Sequence, residues 1–214
     1  GDQLDAQAGI LNDADPAQDR VWMAEVAQEA THVPSHPARI ALFFSAMRHF
    51  AEQLRARGLG LIYHRLETHS HADLGAALQA DLERLRPAEV AVTEPGEYRV
   101  RELLSQTCSR TGIPLEIATD RHFLCTTADF ARWVSGRKQP RLEHFYRHLR
   151  RQTGVLMQAN GEPAGGKWNY DASNRASFGR QGPGLVPAAA SFGPDALTAA
   201  VLSLVADRFA DHPG

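Results

Sequence analysis

The chain has 214 residues, 43% hydrophobic and 22% charged, which suffices for one well-buried domain with an appendage. A formal net charge of −2 excludes a uniformly basic surface that would hold the whole chain on nucleic acid. Two cysteines, Cys108 and Cys125, are too few for a disulfide framework and lack metal-ligand spacing. No apolar run approaches the roughly 20 residues that span a bilayer, and no signal peptide opens the chain, so we expect a cytoplasmic protein.

Short β-type runs alternate with amphipathic helical patterns over the first 120 residues. In the longest helical pattern, apolar residues recur at i, i+3, i+4 and i+7 from Ile40 to Leu54, and Gly58 is placed to end it. The third strand-like run, 89–93 (EVAVT), is short and nearly all apolar, which is typical of a strand buried on both faces of a parallel sheet. The predicted strands are 20–26, 60–66, 89–93 and 114–119, and the predicted helices are 37–57, 73–85 and 97–111. This order predicts an α/β fold with a Rossmann-like, doubly wound parallel sheet flanked by helices.

The pattern changes after residue 120 into a helical and extended C-terminal appendage. Helices are predicted at 127–134, 141–153 and 195–209, and the Gly-rich, polar stretch 161–184 is typical of a linker. We therefore predict a Rossmann-like domain (1–120), a helical extension (121–160), a Gly/Pro-rich interdomain linker (161–194) and the start of a further domain (195–214). Both ends of the chain indicate a fragment, and a βα turn at residues 1–3 would mean that a central strand is missing.

Ligands of open α/β sheets bind beyond the carboxyl ends of the strands. Three segments are predicted at that edge: residues 1–3 (GDQ), the segment after Val26 with Glu29 and His32, and residues 93–97 (TEPGE). All bring carboxylates, which would repel a phosphate, and neither G-x-G-x-x-G nor G-x-x-x-x-G-K-[ST] occurs. Carboxylates and amides suit a neutral, hydroxyl-rich ligand such as a ribityl or nucleoside compound. The same acids could instead cap helices and stabilise turns, and both interpretations stay open.

Two further clusters have alternative interpretations. Basic residues between 137 and 151 interleave with Phe145 and Tyr146, which fits either DNA-backbone contact or an amphipathic helix; the slightly negative net charge favours the helix. Histidines between 64 and 71 could bind zinc, but a solvated loop is favoured because no H-E-x-x-H motif or cysteine supports a metal. The nucleophile elbow G-x-S-x-G is absent, so hydrolase chemistry has no motif.

Five groups of short strings occur in a family-specific order. They are 1–4 (GDQL); 28–33 (QEATHV) with 44–48 (FSAMR); 93–99 (TEPGEYR); 136–138 (GRK) with 143–147 (EHFYR); and 165–171 (GGKWNYD) with 174–175 (NR). In this order, and up to about residue 178, the chain resembles the bacterial photolyase-related family, the iron–sulfur prokaryotic (6-4) photolyases and cryptochromes.

The resemblance implies a light-harvesting antenna domain, inactive alone, from a FAD-dependent, light-driven DNA repair lyase of the deoxyribodipyrimidine photolyase type. The antenna pigment would be 6,7-dimethyl-8-ribityllumazine, while FAD and a four-cysteine [4Fe–4S] cluster are expected in a missing C-terminal domain that residues 195–214 would begin. The implied partners are that domain and, through the full-length protein, damaged DNA. A tyrosine is expected where His32 stands. The positions matching the pigment pocket are Gly1, Asp2, Gln3, Val26, Glu29 and His32, and the resemblance implies no catalytic residue and no metal ligand here.

Two other functions stay open. The crevice of Asp2, Glu29 and Glu94 could serve acid–base chemistry in a small-molecule-binding α/β enzyme. A cryptochrome-type light-signalling module, in which the domain contacts other proteins, would carry the same strings.

Overall fold

The chain folds into two compact units. A computed structural model describes residues 3–213, without the side chain of Ser173. Unit 1 comprises Gly1–Thr119 with Phe192–Gly214, and unit 2 comprises Asp120–Ser191. No helix in the described part of the chain is long and apolar enough to cross a membrane.

Unit 1 contains all four strands. They are β1 (Arg20–Ala24), β2 (Gly60–His64), β3 (Val90–Thr93) and β4 (Leu115–Ala118). Its helices are α1 (Gly9–Asn12), α2 (Gln28–Thr31), α3 (Pro37–Ala56), α4 (Leu74–Leu85), α5 (Tyr98–Thr111) and α8 (Ala196–Arg208), with a 3₁₀ turn at Leu66–Thr68. Each element predicted from the sequence is present, with ends that agree to within two residues. The one-turn helices α1 and α2 were not predicted, because four residues carry too little periodicity.

The strands form two parallel pairs. β1 pairs with β2 from Arg20 opposite Gly60 to Ala24 opposite His64, and β3 pairs with β4 from Val90 opposite Leu115 onward. The class is therefore α/β, as expected. The predicted single, doubly wound sheet is not seen: in residues 3–213 no ladder joins β1 to β3, and two two-stranded sheets stand in its place.

Local sequence signals fix the helix ends. Pro37 occupies the first turn of α3, and His36 Nδ1 accepts a hydrogen bond from the Ala38 amide at 3.0 Å. Asp73 Oδ1 caps α4 by accepting from the Ala76 amide at 2.8 Å. α5 ends at Gly112, whose φ of +71° suits glycine best.

The main core of unit 1 forms where α3 packs against β1, β2 and α8. The periodic face of α3 buries Phe44 and Leu54. Val201 and Val205 of α8, and Phe209 directly after it, belong to the same cluster. The rings of Phe44 and Phe209 lie 6.2 Å apart. Residues 195–214, expected to begin a further domain, thus supply a helix to the core of unit 1.

Unit 2 is built from two helices and an irregular segment. α6 (Thr127–Val134) and α7 (Leu142–Thr153) pack through Trp133 and Phe145, with ring centroids 4.9 Å apart. Residues 155–171, named the strap, follow α7 and include a 3₁₀ turn at Ala164–Gly166; a second lies at Ser173–Arg175. Arg150 is 5% exposed and donates to the carbonyls of Val155, Leu156 and Trp168, which fastens the strap to α7.

Candidate functional site

The carboxyl ends of β1 and β3 lead into the segments predicted to meet a ligand. β1 ends at Ala24 and runs into the loop before α2, while β3 ends at Thr93 and runs through residues 94–97 into α5. Gln3 Nε2 donates to the backbone carbonyl of Glu94 at 2.7 Å, which joins the amino-terminal segment to the loop after β3. Two of the three predicted segments therefore meet. Gly1 and Asp2 lie outside the described residues.

An ion pair joins the second and third segments. Arg99, in the first turn of α5, donates to both carboxylate oxygens of Glu29 in α2, at 2.9 and 2.7 Å. It also reaches Glu97 at 3.1 Å. The hydrogen bond to Glu29 is the main reason why the pKa of the Arg99 guanidinium lies above its ordinary value. This bidentate geometry sets the relative positions of α2 and α5.

Among the described residues, one polar atom of Arg99 has no hydrogen-bond partner. Its Nε is buried, although about a third of the side chain is exposed. A buried N–H without an acceptor is costly, and such an atom marks a place where a ligand or water oxygen would be bound. Sequence reasoning missed Arg99, although a cluster of carboxylates at one edge calls for a neighbouring cation.

The edge is also less acidic than the sequence suggested. Arg99 neutralises Glu29 and Glu97, and Arg101 lies 3.5 Å from Glu94. Among the described residues, each predicted acid of this edge therefore has a guanidinium beside it. The carboxylates of this edge are neutralised and would not repel an anion. The sequence nevertheless contains no Gly-rich phosphate-binding motif.

The remaining predicted positions differ in accessibility. Val26 is 1% exposed, and its carbonyl accepts a hydrogen bond from the Glu29 amide. Val26 therefore holds the start of α2 in place from the protein interior. The side chain of His32 is exposed just after α2. The structure thus places Gln3, Glu29 and His32 around the predicted edge, and their role as ligand contacts stays a prediction.

A buried charge network lies immediately behind this edge. Glu25 follows β1 and is 1% exposed; Arg48 of α3 donates to both of its oxygens at 2.8 Å, and the Leu66 amide donates to one at 3.0 Å. Tyr63 also donates to Glu25, and burial together with that bond raises the pKa of Tyr63 above its ordinary value. Arg48 also forms an ion pair with Glu67 at 2.7 Å. The network fixes the end of β1, from which the Val26–Glu29 loop departs.

The histidines after β2 are hydrogen-bonded and half-buried, unlike the solvated loop suggested by the sequence. His69 Nδ1 accepts from the His71 amide at 3.1 Å, so its Nε2–H donates to the Glu25 carbonyl at 2.7 Å. His64 contacts Asp81, which also accepts from Trp22 Nε1 at 2.8 Å. Within the described residues, no group of histidine, cysteine and carboxylate side chains is arranged to hold a metal ion.

Asp81 is the charged residue that His64 and Trp22 both contact. Burial acts to raise the pKa of this carboxyl, but hydrogen bonds from His64, Arg84 and Trp22 outweigh it and lower the pKa to about 2. The ionised Asp81 ties α4 to β1 and β2, which again stabilises the strands behind the candidate edge.

Unit 2 holds a cavity of its own between α7 and the strap. Its volume is about 730 Å³, and aromatic and aliphatic side chains line most of it, among them Tyr146, Leu149, Leu156, Trp168 and Tyr170.

Comparisons with known proteins cover the whole chain. A sequence profile of the family described as deoxyribodipyrimidine photo-lyase-related protein matches residues 1–214. A (6-4) photolyase of Agrobacterium fabrum (strain C58) is 41% identical over 217 residues, covering 100% of this chain and 42% of the relative. The chain therefore spans less than half the length of that relative.

Proposed function

The chain belongs to the deoxyribodipyrimidine photo-lyase-related protein family, and on this premise we propose that unit 1 is the light-harvesting domain of a FAD-dependent, light-driven DNA repair protein. It binds a neutral, hydroxyl-rich pigment, 6,7-dimethyl-8-ribityllumazine, at the edge formed by Gln3, Glu29 and Arg99. The pigment, when bound, supplies excitation energy to a flavin. Damaged DNA is then a substrate of the longer protein, and the cytoplasm its expected location.

The observation that carries the proposal is the junction of α2 and α5 at the carboxyl ends of β1 and β3. Parallel α/β domains bind ligands at this edge. The donors and acceptors suit the pigment. Each Glu29 oxygen accepts one hydrogen bond from Arg99 and keeps a second lone pair that can accept from a ligand hydroxyl or ring N–H group. The Arg99 Nε–H, which has no partner among the described residues, suits a carbonyl or hydroxyl oxygen. His32, the residue directly after α2, is exposed, and its ring would cover one side of the bound pigment in this proposal.

The four-cysteine iron–sulfur cluster does not fit this chain, and in this proposal FAD belongs with it. A [4Fe–4S] cluster needs four thiolates, and the chain has two cysteines. Cys108 is buried in unit 1, where burial raises the pKa of its thiol, and Cys125 belongs to unit 2. We therefore assign both groups to the part of the longer protein that lies outside these 214 residues, in keeping with the 42% coverage of the relative.

We also propose that the two parallel strand pairs belong to one doubly wound sheet. Trp22 of β1 packs against the same buried cluster as Val90 and Val92 of β3, so the pairs share a core. A crystal structure of the longer protein with β1 and β3 in separate sheets would contradict this.

The acid–base enzyme is the weaker hypothesis. Both oxygens of Glu29 are engaged by Arg99, and the Glu94 carboxylate has Arg101 beside it. A general base needs an oxygen that is open to the substrate proton. The arrangement favours binding over proton transfer.

The test is a fluorescence and absorption titration of the purified chain with 6,7-dimethyl-8-ribityllumazine. We expect saturable binding that weakens about tenfold or more in Glu29→Ala, because a charge-assisted hydrogen bond contributes roughly 1.5–3 kcal/mol. Glu52→Ala is the matched control, since Glu52 is an exposed acid of α3 that pairs with Arg55 on the surface. Failure of the folded chain to bind, or equal losses in both variants, would refute the pigment site.

A further inference from the structure

The two units carry opposite charge. Unit 2 has eleven lysines and arginines against five aspartates and glutamates, a net charge of +6. The rest of the chain has twelve basic against twenty acidic residues, a net charge of −8. The overall value of −2 therefore hides a strongly basic unit, and the net charge that favoured a plain amphipathic helix does not describe the surface of unit 2.

Three of the five acids of unit 2 pair with side chains of the same unit, and one of them is Asp120, which contacts His122 at 2.9 Å. Asp129 closes the capping box of α6 with Thr126 and pairs with Arg132. Glu143 in the first turn of α7 pairs with Arg147 at 2.8 Å and accepts from Asn169 at 3.2 Å. These carboxylates neutralise their own neighbours and leave the other cations of the unit uncompensated.

The uncompensated cations form two groups along α7. Arg137, Lys138 and Arg141 lie within five consecutive positions of the loop between α6 and α7. Arg151 lies near the other end of the helix, about 15 Å from Arg141 along the axis at 1.5 Å per residue. Lys167 directly precedes Trp168, whose ring contacts Arg151. All five are exposed, and in the described part of the chain none of them lies within ion-pair distance of a carboxylate.

Aromatic rings hold two of these guanidinium groups in place. Arg137 lies over Trp133, 4.5 Å from the ring centroid, and its Nε donates to the Trp133 carbonyl at 2.6 Å. Arg151 lies over Trp168 at 4.6 Å. A guanidinium already fixed against a ring loses less conformational freedom when its remaining N–H groups bind a phosphate.

We propose that this surface of unit 2 binds the phosphate backbone of nucleic acid without reading its sequence. Several exposed cations spread over about 15 Å match a row of phosphates better than a single small anion. Trp133 and Phe145 are buried, as an amphipathic helix requires. The amphipathic helix and a phosphate-binding surface are therefore compatible, because the first uses the buried face and the second the exposed cations. This inference does not depend on pigment binding by unit 1, and its test uses no pigment.

The experiment is a fluorescence anisotropy titration of the 214-residue chain on an undamaged 20-base-pair duplex, at several salt concentrations. The variant Arg137→Gln/Lys138→Gln/Arg141→Gln removes three cations from one loop. We expect about tenfold weaker binding in 50 mM salt and a salt slope shallower by about 2.7, the value for three lost phosphate contacts. The residues are exposed and outside helices, and circular dichroism verifies that the variant is folded.

The matched control removes three exposed arginines from unit 1: Arg39→Gln/Arg55→Gln/Arg208→Gln. It changes the net charge equally and should weaken binding less than twofold. Equal losses in the two triple variants would mean that only overall charge matters, and the surface assignment would be overturned. An unmodified chain that fails to bind the duplex in 50 mM salt would overturn it as well, and would favour an acidic protein as the partner of unit 2.

Discussion

Replacing Arg48 with methionine should destabilise the chain more than any surface change, because it leaves Glu25 buried without its cation. The two side chains are 3% and 0% exposed and share two hydrogen bonds of 2.8 Å. Removing one partner of such a pair costs about 3–5 kcal/mol. The amide of Leu66 and the hydroxyl of Tyr63 would still donate to Glu25, so we expect the lower part of that range.

The assay is urea unfolding followed by circular dichroism at pH 7. A loss of about 3 kcal/mol corresponds to a fall in Tm of roughly 6–12 °C for a chain of this size. Arg55→Met is the control on the same helix: Arg55 pairs with Glu52 on the surface, and its loss should cost under about 0.5 kcal/mol.

The double variant Glu25→Gln/Arg48→Met tests the reasoning itself. If the penalty of Arg48→Met arises from an uncompensated buried charge, neutralising Glu25 should restore part of the lost stability. A double variant as unstable as the sum of the two single variants would refute the charge argument. A single variant within about 0.5 kcal/mol of the unmodified chain would show that the pair is not buried in solution.

Two more predictions concern unit 1. The pKa of Asp81 is about 2 in the folded chain and about 3.9 in the unfolded chain. The stability that ionised Asp81 contributes is therefore present above about pH 4 and is lost as the pH falls towards 2. The difference in unfolding free energy between the unmodified chain and Asp81→Asn, measured by urea unfolding, should shrink over that interval, and a constant difference would contradict the assignment. Phe209→Ala should lower the free energy of unfolding by about 3–5 kcal/mol, because the ring is 3% exposed in the core. Leu202→Ala, on the exposed side of α8, should cost little. Equal effects in thermal unfolding would mean that α8 does not belong to this core.

The sequence predicted the elements well and the long-range contacts poorly, for physical reasons. The periodicity of α3 and the proline at its first turn determine that helix locally, so its bounds could be predicted to one residue. Glu29 and Arg99 are 70 positions apart. The carboxylates of the edge call for a neighbouring cation, but nothing in the sequence singles out Arg99 among the arginines. The position of α8 could not be predicted either, because its apolar residues would suit any complementary surface.

The pairing of Glu29 with Arg99 determines whether the candidate edge should prefer a phosphorylated ligand over an unphosphorylated one. The Arg99 guanidinium is committed to Glu29 and Glu97, and Arg101 lies beside Glu94, so among the described residues each guanidinium of this edge already has a carboxylate and none is left over for a phosphate on the ligand. Riboflavin 5′-phosphate should therefore bind no better than riboflavin itself. In Glu29→Gln the guanidinium loses its main carboxylate partner and becomes available to an anion, so the phosphorylated compound should gain several-fold over riboflavin. Fluorescence titration of both compounds on both proteins measures this ratio. A ratio that is unchanged by Glu29→Gln would mean that Arg99 does not face the ligand, and that its role is to hold α2 against α5.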